Sequence, residues 1–184
     1  MTRAAERSRL IAVRHAAVEL RADVPPERWP LSTAGRDAAT RLAGWSGWSS
    51  VVVVASSPEP KALETAAPLA AAAAVEPRLE SDLREAARPR QLLERCEYVA
   101  AASSYLRGAP LTGWEPSEQV RLRVTACIDR LVAEATGDVA VVSHGLALSL
   151  YLGLTPDEWE RIPLPALAVV DPETRRVLEP WRGA

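Results

Sequence analysis

Residues 139–152 read VAVVSHGLALSLYL. The first four are apolar and mostly β-branched, with no polar residue between them, as expected of a strand buried on both faces. The run stops at Ser143-His144-Gly145, and the stretch from Gly145 to Leu152 reads as a helix that starts straight from the strand. A strand feeding directly into a helix is a unit of layered α/β folds. It also sets one of only two histidines in the chain at the carboxyl end of a strand. Ligands of open parallel sheets bind at such ends.

The same pattern recurs outward from this stretch. Leu10 to Val13 (LIAV) stops at Arg14-His15, the other histidine. Val51 to Ala55 (VVVVA) runs into Ser56-Ser57-Pro58-Glu59-Pro60-Lys61, and Lys61 is the single lysine among the 22 basic residues. Leu167 to Val170 reads as a fourth strand. Arg176 to Leu178 pairs back on it through the DPETR turn as an antiparallel edge, and a shorter strand is expected around Val75 to Leu79. Helical spacing covers Thr33–Trp45, with Ser32 or Thr33 as N-cap, then Pro58–Ala74, Gln91–Leu106 and Ser117–Ala135. Thr155-Pro156-Asp157-Glu158 is a capping box. The expected fold is an α/β three-layer sandwich: a mainly parallel central sheet with an antiparallel edge, and helices on both faces.

At 184 residues the chain matches one domain spanning residues 1–184. Apolar residues make up 48% and charged residues 25%, which excludes a disordered chain. The net charge of −2 excludes the basic footprint of a general nucleic-acid binder. No apolar run is long enough to cross a bilayer, and MTRAAERSRL lacks the apolar core of a signal peptide, so the cytoplasm is the expected compartment. Cys96 and Cys127 lack metal-ligand spacing and read as reduced thiols.

If Arg14, His15, Lys61 and His144 converge, two permanent cations and two imidazoles share one pocket. Helix N-termini near Pro58 and Gly145 would add backbone N–H donors. Cations gathered so closely repel one another unless an anion fills the space, and a phosphoryl group suits the donor count.

The motifs RHA (14–16), LSTAG (31–35), SSPEPKALETA (56–66), LRE (83–85) and SHG (143–145) occur in this order. Over about Leu10 to Leu152 the chain resembles the histidine phosphatase superfamily, the phosphoglycerate mutase-like fold. The resemblance implies that His15 is the nucleophile and carries a phosphohistidine. It implies that Arg14, Lys61 and Gly145 bind the substrate phosphate, and that His144 stabilises the phosphoryl charge. Glu85 protonates the leaving oxygen and then activates water. No metal and no cofactor are expected, and the expected partner is a small phosphorylated substrate, not nucleic acid or membrane.

The chain departs from the family pattern in places. Ala16 stands where Gly is usual, and Lys61 replaces an arginine, keeping the charge and losing the planar fork. Arg21 stands at a frequent Asn position and inherits no role. The long insertion of the glycolytic mutases between the acid and the second histidine is absent. The leading expectation is therefore a metal-independent phosphomonoester hydrolase. The alternatives are a weakened phospho-ligand-binding protein of the same fold, or a phosphotransferase or mutase. Ser57 reads as a helix cap and Thr65 as a packing residue. Trp29 and Trp114 belong to loops that the resemblance brings near the pocket mouth, with packing as their default role. The stretch REAARPR (84–90) is either a solvated face or a greeting for an anionic substrate. The sequence names neither the substrate nor the oligomeric state.

Overall fold

The computed structural model describes residues 8–89 and 94–184. Six strands form its sheet: β1 (Leu10–Arg14), β2 (Val51–Ser56), β3 (Arg78–Leu79), β4 (Asp138–Ser143), β5 (Ala166–Val170) and β6 (Val177–Gly183). Their order is β3-β2-β4-β1-β5-β6. The pairs β3/β2, β2/β4 and β4/β1 are parallel, and β5 and β6 add an antiparallel edge. Central strands β1, β4 and β5 are buried almost throughout, which is why they read as continuous apolar runs.

Helices cover both faces. Successive side chains of a strand point to opposite sides, so Ile11, Val13, Val54, Ala140 and Val142 pack on one face against α1 (Thr33–Leu42) and α2 (Pro60–Ala73). Leu10, Ala12, Val139 and Val141 pack on the other. There they meet α3 (Arg95–Leu106), α4 (Ser117–Glu134), α5 (Gly145–Leu152) and α6 (Pro156–Arg161). Each such buried valine, leucine or isoleucine side chain contributes about 1.5–3 kcal/mol. Among the described residues no helix is long and apolar enough to cross a membrane.

Several boundaries differ from the sequence reading. Helix α1 is capped by Ser32, whose Oγ accepts from the Gly35 amide at 3.0 Å. It ends at Leu42, and Ser46–Ser50 forms a separate 3-10 turn because the Trp48 indole donates back to the Leu42 carbonyl at 3.0 Å. Helix α2 begins at Pro60 rather than Pro58, with Glu59 extended at its boundary. The strand expected around Val75 to Leu79 is confined to Arg78–Leu79. The expected helix Gln91–Leu106 is present from Arg95, and its residues 91–93 lie outside the described ones. The edge strand extends beyond Leu178 to Gly183. The Thr155–Glu158 capping box forms as read. Cys96 is exposed, Cys127 is buried, and both are free thiols.

Candidate active site

Strands β1 and β4 are parallel neighbours, with Arg14 in register with Ser143. The next residue on each is a histidine, and the His15 amide donates to the Ser143 carbonyl at 3.0 Å. The two imidazoles therefore meet edge to face, with ring centroids 5.2 Å apart. A cavity of about 570 Å³ opens beyond these strand ends, and Arg14, His15, Lys61, Glu85 and Gly145 all line it. His144 is fully buried beneath it.

The loop after β1 is held from several sides. The Ala16 amide donates to Thr65 Oγ1 at 2.9 Å, and that hydroxyl donates to the Lys61 carbonyl at 2.7 Å. The Ser32 amide donates to the Ala17 carbonyl at 3.0 Å. A Cβ on Gly35 would lie 2.0 Å from the same carbonyl oxygen, so only glycine admits α1 this close. Ala16 is fully buried and packs with Leu31 and Ala39. Its extra methyl is thus absorbed by a small apolar cluster.

His15 Nδ1 lies 2.7 Å from its neighbour's carbonyl, Ala16 O. A carbonyl only accepts, so Nδ1 carries the proton and Nε2 keeps its lone pair. Burial, then the Lys61 ammonium and the Arg14 and Arg88 guanidiniums, push the His15 imidazolium down to about 3, although the Ala16 carbonyl favours it. The ring is neutral at ordinary pH. His144 is held well below its ordinary value by burial, by His15, and by Lys61 and Arg88. Its Nε2 is 2.8 Å from Ser57 Oγ, and its Nδ1 has no hydrogen-bond partner.

Arg14 is anchored by Nη1, which donates to the Ile162 carbonyl at 2.7 Å. Its Nε has no partner, nor has the buried indole N–H of Trp159. Both sit beside Gly145, where a Cβ would lie 3.2 Å from Arg14 Nε and 2.7 Å from Trp159 Nε1. Unspent buried donors at a strand end are costly unless an anion or water meets them.

Two of the expected groups are less available than the sequence implied. Lys61 is buried, and its Nζ lies 2.6 Å from Glu59 Oε2 and donates to the Pro26 carbonyl at 2.7 Å. Its charge is countered from within the protein. The N-terminal amides of α5 are also occupied: Leu146 and Ala147 donate to the Glu85 carboxylate at 3.2 and 3.0 Å. Ala86 donates to it too, at 3.0 Å. Glu85 caps that helix, so the expected phosphate donors there are already engaged. The expected donors near Pro58 shift to the α2 boundary, where Ser57 Oγ accepts from the Glu59 amide at 3.3 Å.

Glu59 is the residue that sequence reasoning missed. Besides meeting Lys61, its Oε1 accepts from the Glu85 amide at 2.8 Å and lies 3.4 Å from His144 Nε2. The signal was a carboxylate two positions before the chain's lone lysine, but such a spacing has no helical meaning. Arg123 was missed as well. It donates to the carbonyls of Asp82 at 2.6 Å, Arg84 at 2.8 Å and Glu85 at 3.1 Å, and pairs with Glu115 at 2.8 Å. It thereby fixes the loop that presents Glu85. Arg21 pairs with Asp23 on the exposed surface. Among the described residues, no group of three His, Cys, Asp or Glu side chains could hold a metal ion.

These features define an α/β protein with a two-histidine, anion-ready site at the ends of its central strands. The family model of the histidine phosphatase superfamily (branch 1) matches residues 10–176, and the chain belongs to that family. No curated protein matches the chain. Among solved structures, it is similar to a mycobacterial glucosyl-3-phosphoglycerate phosphatase, with 22% identity, 96% of each chain covered and a TM-score of 0.72. That phosphatase in complex with inorganic phosphate also matches, at 21% identity and a TM-score of 0.70, covering 96% of this chain and 95% of that one. A phosphoglycerate mutase from Bacillus anthracis matches at 19% identity and a TM-score of 0.68, covering 96% and 91%.

Proposed function

We propose that the protein is a metal-independent phosphomonoester hydrolase that works through a phosphohistidine on His15. One observation carries the reading: Nδ1 of His15 is committed to the Ala16 carbonyl, leaving a neutral ring with an unshared pair on Nε2 beside the cavity. In the first step Nε2 attacks phosphorus, the bond to the leaving oxygen breaks, and Glu85 in its acid form donates the proton that oxygen takes up. Arg14, Lys61 and His144 stabilise charge on the phosphoryl oxygens. In the second step Glu85 takes a proton from water. The water oxygen attacks phosphorus, the N–P bond breaks, and inorganic phosphate leaves.

Replacing His15 by Ala should abolish both turnover and the phosphoenzyme while the melting curve stays cooperative. Phosphate release from p-nitrophenyl phosphate and intact mass spectrometry read these out. Full activity in that variant overturns the reading.

A second reading, phospho-ligand binding without turnover, has its own support. Both carboxylate oxygens of Glu85 are engaged by backbone N–H groups at a helix start, and Lys61 is already paired. It predicts tight vanadate binding with no ester hydrolysed. A phosphotransferase or mutase would instead move labelled phosphoryl to an added alcohol.

A further inference from the structure

The phosphoryl end occupies only one part of the cavity. Four aromatic side chains line the cavity as well: Tyr98 and Trp114 are partly exposed to it, while Trp29 and Trp159 are 8% and 3% exposed, with Trp159 beside Gly145. Two of them contact each other edge to face, with Tyr98 and Trp159 at 6.1 Å between centroids. The Arg88 guanidinium lies 4.8 Å from the Tyr98 ring centre and 5.8 Å from that of Trp114, so it bridges the two. Among the described residues it has no carboxylate partner. Leu20 and Leu164, which also line the cavity, are 69% and 43% exposed.

The polar inventory is equally informative. No Asn, Gln, Ser, Thr or Asp belongs to the described lining, and the chain contains no Asn at all. A polyhydroxyl leaving group needs side chains that both donate and accept, so that each hydroxyl finds a partner when it leaves water. Among the described residues the lining also offers the guanidiniums of Arg88 and Arg95, the carboxylate of Glu160 and the phenol of Tyr98. Aromatic walls of this kind bind flat apolar groups through ring stacking and lost water-exposed area.

We infer that the substrate's leaving group carries an aromatic ring, seated against Tyr98 and Trp114 with Arg88 at its edge. This rests on the phosphoryl reading above and adds the substrate class. It separates the chain from the glucosyl-3-phosphoglycerate phosphatase whose fold it shares.

Phosphonates test it without requiring turnover, since their P–C bond is not hydrolysed. Calorimetry would compare benzylphosphonate with methylphosphonate on the full chain. Benzylphosphonate should bind at least about tenfold more tightly, the gain expected for burying one ring against apolar surface. Trp114→Leu should erase most of that ratio. Tyr98→Leu is a second probe should Trp114, which packs on Tyr105 at 5.1 Å, be needed for folding. Hydrolysis adds a parallel arm: benzyl phosphate against ethyl phosphate and glucose 6-phosphate, all alkyl esters, so that leaving-group acidity does not masquerade as ring recognition. A ratio below about threefold, a ratio that survives both substitutions, or a preference for the sugar ester overturns the inference while leaving the phosphoryl reading intact. If neither phosphonate binds, both fall together.

Discussion

Lys61 Nζ stands 2.6 Å from Glu59 Oε2, and both side chains are about nine-tenths buried. The single lysine of the chain is therefore half of an ion pair inside the site. Removing one partner of such a pair strands a buried charge, at a cost of about 3–5 kcal/mol. Lys61→Met should lose stability on that scale, and Glu59→Gln/Lys61→Met should recover much of it. Denaturant unfolding of the four proteins of the cycle measures the coupling. Additive losses would show that the two groups do not interact.

The same pair sets phosphate affinity. Glu59→Gln lifts the counter-charge from Lys61, so vanadate should bind about three- to tenfold more tightly, as expected when a like charge leaves a partly dry site. Lys61→Arg alone should change little, because Glu59 captures the guanidinium fork. The gain from the fork should appear only in Glu59→Gln/Lys61→Arg. Vanadate inhibition constants decide this.

Gly145 is boxed in. The Cβ of Gly145→Ala would meet Trp159 Nε1 at 2.7 Å and Arg14 at 3.2 Å. Since Arg14 is anchored to the Ile162 carbonyl, the guanidinium can move only by giving up that bond. Substrate KM should rise about tenfold with a smaller change in kcat, because binding of the ground state is what the displaced fork loses. An unchanged KM would mean that Arg14 does not hold the ester.

Glu85→Gln replaces one acceptor oxygen by an NH2 group that faces backbone donors from Ala86, Leu146 and Ala147. One of those N–H groups loses its partner, and stability should fall by about 1–3 kcal/mol. If Glu85 also supplies the proton, alkyl phosphates should slow far more than p-nitrophenyl phosphate. Equal slowing of both would confine Glu85 to capping.

Acid pH separates the two states of His15. Its folded value is about 3 against an ordinary 6.5, so between these limits the unfolded chain binds a proton that the native one does not. Stability must then fall as pH drops from 6.5 toward 3, by up to about 1.4 kcal/mol per pH unit from this ring. His15→Asn should show a shallower decline than the wild type. Phosphoenzyme formation should persist at pH 5, since the ring remains neutral there. Loss of the phosphoenzyme at pH 6 would place the His15 imidazolium near its ordinary range.

The sheet was legible because buried strands announce themselves: LIAV, VVVVA and VAVV contain no polar residue that would need a partner. Placing His15, His144 and Lys61 needed only the rule that such strands end at the site. Glu59 was not legible. Its significance lies in three contacts made by residues from separate elements, and nothing local marks a carboxylate between two prolines as buried. The aromatic wall was half legible. Trp29 and Trp114 were placed near the mouth by resemblance alone. Tyr98 and Trp159 join them only because α3 and α6 pack together over the same face. Glu85 lines the cavity, but two of its three amide donors, Leu146 and Ala147, belong to a helix start about 60 residues away, which no sequence window spans.

Mounting the imidazoles on adjoining strands has a consequence for how such a site survives change. Hydrogen-bonded strands repeat at about 4.8 Å, and the ring centroids stand 5.2 Å apart. The gauge of the site is thus machined into the main chain, where substitution can hardly reach it. With 22% of its residues in common with the mycobacterial phosphatase, the chain keeps the fold, and the fold carries the gauge. The wall beyond is free to be refashioned for another guest.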